Sequence, residues 1–376
     1  MDNTSSVDGE PRGTFVFFPW VAIETSLCYR GIRLHTWKKG QSVPPGGEAH
    51  LRACQHAAGR RIERATLVSF DGEVGGQITD EQVSSALVLK EILAFTALRQ
   101  REFFGFSREG YWNANQFAMI PQNYKGLDGG AAVVPRGRGG RTLCYYPPEY
   151  YRRVCPFHVE ADRIFKPDEL LAKALLAACE DSRCTWAPEA IVEFNLANTD
   201  SDDIAPHAEL LLASSALQLV VGVTKSKHEL IAAGLDRHLS PFCKTKPLDD
   251  CPRVSGLKKR DLSLPSAWFQ DMYRCRGGAA HGQPQEGTAW TLHEHLLLLA
   301  YVLPRLVLVR LSDAGLYALT EQDHDELAAI EYLLCIASDL HSAKGQAWAD
   351  AIWDASRERS LRKLLDEMEE TPPSDV

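Results

Sequence analysis

The chain has 376 residues, 45% of them hydrophobic and 24% charged, with a formal net charge of −9. Those proportions exclude an intrinsically disordered chain, and the length allows more than one domain. The acidic balance excludes a protein that coats nucleic acid by bulk charge, so any contact with nucleic acid has to be local.

Residues 1–13 are polar and are expected to form a flexible N-terminus. They lack the charged, apolar and small-residue order of a signal peptide, so a cytoplasmic location is expected. Residues 14–23, rich in Phe and Val, read as a strand. Residues 64–70 read as a second strand, closed by the turn signal Asp71-Gly72. Residues 81–104 carry Val83, Leu87, Ile92, Leu93, Phe95 and Leu98 at helical spacing. Residues 131–135 and 142–146 flank a glycine-rich tip and predict a hairpin. Its Arg136, Arg138 and Arg141 lie beside Tyr145, Tyr146, Tyr150 and Tyr151, then Arg152 and Arg153. Such a set suits single-stranded nucleic acid, and equally an ordinary sheet edge with core tyrosines.

From Pro167 the pattern turns helical. Residues 168–179 predict a short amphipathic helix with acidic residues in its first turn. Residues 195–203 are polar and read as a linker, which places a domain boundary between Asp162 and Pro206. Residues 207–223, apolar on several faces, predict a buried helix, and 225–239 an amphipathic one. Residues 240–262 read as a loop, 265–274 as a helix with proline near its start, and 292–312 as a long apolar helix. The apolar run 296–311 is interrupted by Pro304, Arg305 and Arg310, so it reads as too short and too charged to cross a bilayer, and no membrane contact is expected. Two further helices are expected over 321–340 and 345–370, followed by an acidic tail.

The ten cysteines form no C-x-x-C pair. In a cytoplasmic chain they serve mostly as small buried hydrophobes, although Cys179/Cys184, Cys243/Cys251 or Cys54 with His56 could join a metal site. No spacing matches a common zinc pattern, and no metal or cofactor is expected. His293 and His295 are two residues apart on a helix, face different sides and read as surface residues. Walker, G-x-S-x-G and H-E-x-x-H motifs are absent.

Chemistry concentrates at Tyr273-Arg-Cys-Arg-Gly-Gly-Ala-Ala-His-Gly282, where Arg276 and His281 are separated by four residues. Metal-free RNA cleavage needs a group that moves a proton near neutral pH and a fixed cation for the phosphate. Histidine and arginine supply these. On a continuous helix, five residues turn about 500°, which leaves the two positions about 140° apart. Gly277 and Gly278 disfavour a helix, so an end or bend is expected at the motif, letting Arg276 and His281 converge.

This segment resembles the R-x4-6-H signature of the HEPN superfamily. A tyrosine before the arginine (Tyr273) and a glycine after the histidine (Gly282) match, as do a buried helix before the motif and a long apolar helix after it. The resemblance covers roughly residues 206–340, closest to abortive-infection HEPN proteins of bacterial defence. It implies an all-α HEPN-like helical bundle for the second half and nothing for the first; with the mixed strands and helix read there from the residues, the expected fold class is α+β, a mixed α/β domain followed by that bundle. The expected division is 14–165 as a sensor or regulatory domain for an unknown trigger, 166–205 as a connecting helix and linker, 206–345 as the HEPN-like domain, and 346–376 as a C-terminal helix and acidic tail. It further implies a homodimer formed through the HEPN domain and a toxin-like endoribonuclease leaving 2′,3′-cyclic phosphate and 5′-OH ends. In that reading Arg276 and His281 are catalytic, and Glu209, Tyr273, Gly277 and Gly282 auxiliary. Glu209 reads equally as a first-turn helix charge. Gln283 stands where some members carry a modified tyrosine, which puts that control mechanism in doubt. Lys225, Lys227, Lys244, Lys246, Lys258, Lys259 and Arg260 form a local positive island that suits RNA phosphates, or a solvated loop. The alternative function is a HEPN module that binds nucleotide, RNA or a partner without cutting.

Overall fold

The computed structural model describes residues 12–24, 27–43, 47–101, 110–125, 131–136, 140–145, 152–223, 228–243, 251, 254, 263–281 and 288–336. The expected C-terminal helix and acidic tail, like the loop 255–262, lie outside them. The fold is mixed, a small N-terminal sheet followed by helices. The chain divides into two compact units, one comprising 1–97, 113–176 and 199–201, the other 98–112, 177–198 and 202–376. The segment expected as a connection, 166–205, is therefore split between them.

In the first unit, five antiparallel strands form one sheet in the order β3 (Cys28–Tyr29), β4 (Ile32–Lys38), β6 (Arg64–Phe70), β1 (Arg12–Phe18) and β7 (Ile120–Lys125). The expected single strand 14–23 is two, because Pro19-Trp20 separates β1 from β2 (Val21–Ile23). Strand β4 alternates, with Ile32 and Leu34 buried and Arg33 and His35 exposed, as a strand with one wet face does. Strand β6 is buried along nearly its whole length. Its Thr66 hydroxyl donates to Val21 O at 2.9 Å and accepts from Ile23 N at 2.7 Å, so a fully buried polar group ties β2 to the sheet without an unmet hydrogen bond. Strand β5 (Cys54–Gln55) pairs in parallel with β10 (Arg153–Val154), and β11 (Arg163–Phe165) pairs in parallel with β2. The predicted hairpin is β8 (Ala131–Arg136) with β9 (Gly140–Tyr145).

Phe15, Phe17, Trp20, Trp37, Leu51 and Leu67 head the core of this unit. Helix α1 (Gly47–Arg52) enters that core so closely that a Cβ on Gly47 would lie 2.8 Å from the Phe15 ring. Asp162, in the left-handed region at φ 67°, accepts from Glu63 N at 2.7 Å and Arg64 N at 2.8 Å while facing His56 Nε2 at 2.6 Å. It fastens the chain leading into β11 to the start of β6. Helices α2 (Asp80–Arg99) and α3 (Glu169–Glu180) begin in this unit and end in the other.

The second unit is helical. It holds α4 (Ala187–Leu196), α5 (Pro206–Val221), α6 (His228–Leu239), α7 (Leu264–His281), α8 (Leu292–Asp313), α9 (Glu321–Ala328) and α10 (Ile330–Ile336). Helix α5 packs on α4, α8 and α7, and α6 packs on α7. Gly222, at φ 75°, closes α5 with its N–H directed to Gln218 O and Leu219 O. A Cβ on Gly234 of α6 would sit 2.3 Å from Val221, so a glycine is required where α6 approaches the end of α5.

Helix α8 opens with a capping box between Thr291 and Glu294. At 22 residues it is longer than the apolar run suggests, and by length and composition it would reach across a membrane. Within the unit, 78% of its apolar window is buried, which accounts for the composition as a core helix. Arg305, at its centre, is fully buried against Glu326 at 3.0 Å, and Arg99 meets Glu326 at 2.7 Å and Asp323 at 2.8 Å. Two buried cations are thus matched by two buried carboxylates, which a low-dielectric interior requires.

Candidate functional site

The motif lies on α7. Ser263 starts that helix by accepting from Ser266 N at 3.1 Å, and Pro265 falls in the first turn, where no N–H is needed. From Leu264 to Met272 every residue is buried. Tyr273, Arg276, Gly277 and Gly278 are only partly buried, and Arg274 is exposed. The helix thus leaves the core at the motif.

The expected end or bend at Gly277-Gly278 is not found: α7 continues through both glycines to His281. Burial of the first nine residues holds the helix firmly enough to carry two poor helix formers, each costing about 1 kcal/mol against alanine. The consequence is geometric. Position 281 lies about 140° around the helix axis from position 276, so the two do not share a face of α7.

What does gather around Arg276 is aromatic. Its guanidinium carbon lies over the Tyr273 ring, 5.5 Å from the centroid. His228, the first residue of α6, stacks on the same ring at 5.7 Å with 26° between the planes. Phe269, one turn earlier, lies 6.1 Å from Tyr273 and supports it from the core side. His228 Nε2 is 3.2 Å from Glu229 Oε1.

Behind this surface lies a buried pair, Asp271 and His295. His295, expected on the surface, is fully buried, and its Nε2 is 3.4 Å from Asp271 Oδ2; His293 is exposed as expected. The Trp290 ring lies 6.3 Å from the His295 ring. Asp271 also accepts from Ala289 N at 2.9 Å and Trp290 N at 3.1 Å, which anchors the start of α8 to α7. Burial acts to raise the Asp271 carboxyl, but His295 and the two backbone N–H groups outweigh it and hold the group below the ordinary carboxylate range. Helical spacing could have revealed His295, since it shares a stripe with Leu298, Leu299 and Val302. Asp271 and His228 leave no comparable signal, because their partners are distant in sequence. Cys275 is buried, and burial pushes its thiol up to about 11, so it is no nucleophile at neutral pH.

Tyr273, Arg276 and Gly277 are therefore brought together. The His281 side chain, Gly282, and Lys225, Lys227, Lys244, Lys246, Lys258, Lys259 and Arg260 of the positive island lie outside the described residues. Glu209 occupies the first turn of α5, half-buried, where the helix dipole favours a carboxylate. Among the described residues no three His, Cys, Asp or Glu side chains converge as a metal ion would need. Cys54 bonds to His50 O and His56 faces Asp162, so those two do not act together. Comparison with protein-family models, with curated proteins and with solved structures gives no match to this chain.

Proposed function

We propose that the chain is a metal-independent endoribonuclease of the HEPN type, a toxin-like effector of antiphage defence whose first unit receives the trigger. The observation that carries this reading is the emergence of α7 from the core at Arg276, with the cation set on the partly exposed Tyr273 beside His228. Arginine and aromatic rings at one surface point suit a single-stranded nucleic acid.

In the reaction, the 2′-oxygen attacks the adjacent phosphorus and the bond from phosphorus to the 5′-oxygen breaks. His281 takes the 2′-OH proton and, as the imidazolium so formed, gives a proton to the departing 5′-oxygen, leaving a 2′,3′-cyclic phosphate and a 5′-OH. Arg276 holds the non-bridging oxygens, and His281 moves the protons. Because positions 276 and 281 diverge on one helix, the working pair comes from two copies, Arg276 of one and His281 of the other. The same divergence favours, for a single copy, the second reading: a module that binds RNA through Arg276 without cutting it.

Purified full-length protein incubated with RNA in EDTA separates the two. Cleavage by the wild type that is lost in both Arg276→Ala and His281→Ala supports the nuclease. Binding without cleavage at any protein concentration supports the module. Cleavage that persists in both variants removes this site from consideration.

A further inference from the structure

His228 is assigned no part in the mechanism above, yet its ring lies against Tyr273, the ring over which Arg276 sits. It begins α6, 45 positions before Tyr273, and the packing of α6 on α7 brings its ring onto that tyrosine. The side chain is 42% exposed, so the stack reaches the surface. Its Nε2 edge is directed to Glu229, which leaves the face of the ring as the part suited to a ligand. Tyr273 is held in turn by Phe269, which is 1% exposed, so the platform is fixed from the core outward.

We propose that His228 is a base-stacking residue: with Tyr273 it forms a two-ring platform for one nucleobase of single-stranded RNA, while Arg276, over the same tyrosine, takes the neighbouring phosphate. The inference rests on the reading of this face as an RNA site and adds the contact that orients the strand across it. Stacking tolerates every base, since each has a π-face, so the platform confers affinity for unpaired RNA rather than a sequence preference. Duplex RNA, whose bases are already stacked and paired, is excluded from it.

The test uses the full chain and a fluorescent ten-nucleotide 2′-O-methyl RNA, which cannot be cut because it lacks the attacking hydroxyl. Stacking on a protein ring contributes about 1–3 kcal/mol per base, so His228→Ala should weaken binding at least about fivefold. His228→Phe, which keeps a flat ring and removes the titratable nitrogens, should restore it to within about twofold on the same grounds. With cleavable RNA the alanine variant's loss should appear in KM rather than kcat. Wild-type affinity in both variants overturns the platform and leaves the nuclease reading intact. Loss of kcat in the phenylalanine variant also overturns it, because the imidazole then moves a proton. A wild type that neither binds nor cuts RNA overturns both.

Discussion

Gly277→Ala tests the continuity of α7, on which the geometry of the site depends. A Cβ built at Gly277 meets no heavy atom within 4 Å beyond its chain neighbours and its own helix backbone, so an alanine fits without displacing anything. In a continuous helix, exchanging glycine for alanine adds about 1 kcal/mol of helix propensity. Position 277 is one turn from the end of α7, where fraying trims the gain, so the expected stabilisation is about 0.5–1 kcal/mol. For a unit of this size that raises the melting temperature by roughly 1–4 °C. A bend that held Gly277 in a left-handed conformation would give the opposite sign, since alanine is strained there. Calorimetric melting of wild type and variant decides between them, and a lowered melting temperature refutes the continuous helix. The open space also lies next to Arg276, where a bound strand would pass. Cleavage or RNA binding should therefore fall in the stabilised variant, and an unchanged rate would show that the strand does not approach α7 at this residue.

Two further predictions concern buried groups. Asp271→Ala leaves the N–H groups of Ala289 and Trp290 and the His295 ring without their acceptor, and unmet buried donors cost about 1–3 kcal/mol each, so unfolding by denaturant should show a loss of roughly 3 kcal/mol. The depressed Asp271 carboxyl contributes stability that is present above about pH 4 and lost as pH falls through its folded value, so the variant should also flatten the acid limb below pH 4. In the first unit, burial and then the nearby Arg153 lower the His50 imidazole to about 4. The unfolded chain therefore binds the proton first as pH drops, and stability is lost from about pH 6.5 downward, at most about 1.4 kcal/mol per pH unit. Denaturant midpoints between pH 7 and 5 check this, and a His50→Gln variant with the same slope as wild type would refute it.

How far the sequence reveals this molecule depends on the range of the interactions. The bounds of β6 follow from the apolar run and its Asp-Gly turn, and those of α3, α5 and α8 from helical spacing, to within a few residues; α2 starts where its spacing predicts but ends at Arg99, short of the expected 104. Strand β4 escapes because Thr36 and Trp37 blur its alternation, and α1 is too short to show a period. Helix α4 escapes although Ala187, Ala190, Ile191 and Phe194 keep helical spacing, because it is short and its last turn runs into the polar stretch 195–203 that reads as linker. At the site, Arg276 and Tyr273 are legible because they lie one turn apart on one helix. The continuity of α7 is not, because propensity counts two glycines against the helix while the burial that overrides them is a tertiary effect. The approach of α6 to α7, which places His228 on Tyr273, depends on Gly234 being small enough for α6 to close on α5.

The same helix sets how many copies make one site. If Arg276 and His281 act together and lie about 140° apart on one helix, each site takes one residue from each of two chains in a twofold arrangement. Arg276→Ala and His281→Ala chains, each inactive alone, then complement one another when mixed. In an equal mixture after exchange, half the dimers are mixed, and each mixed dimer carries one intact site and one that has lost both residues. RNA cleavage in EDTA should return to about a quarter of the wild-type rate. Sites formed within single chains would give no recovery at any ratio, because every chain would still lack one of the two groups. Failure to recover, with subunit exchange verified by mass, would then require α7 to unwind at its end when RNA binds, a change that protection of residues 277–281 from hydrogen exchange would register directly.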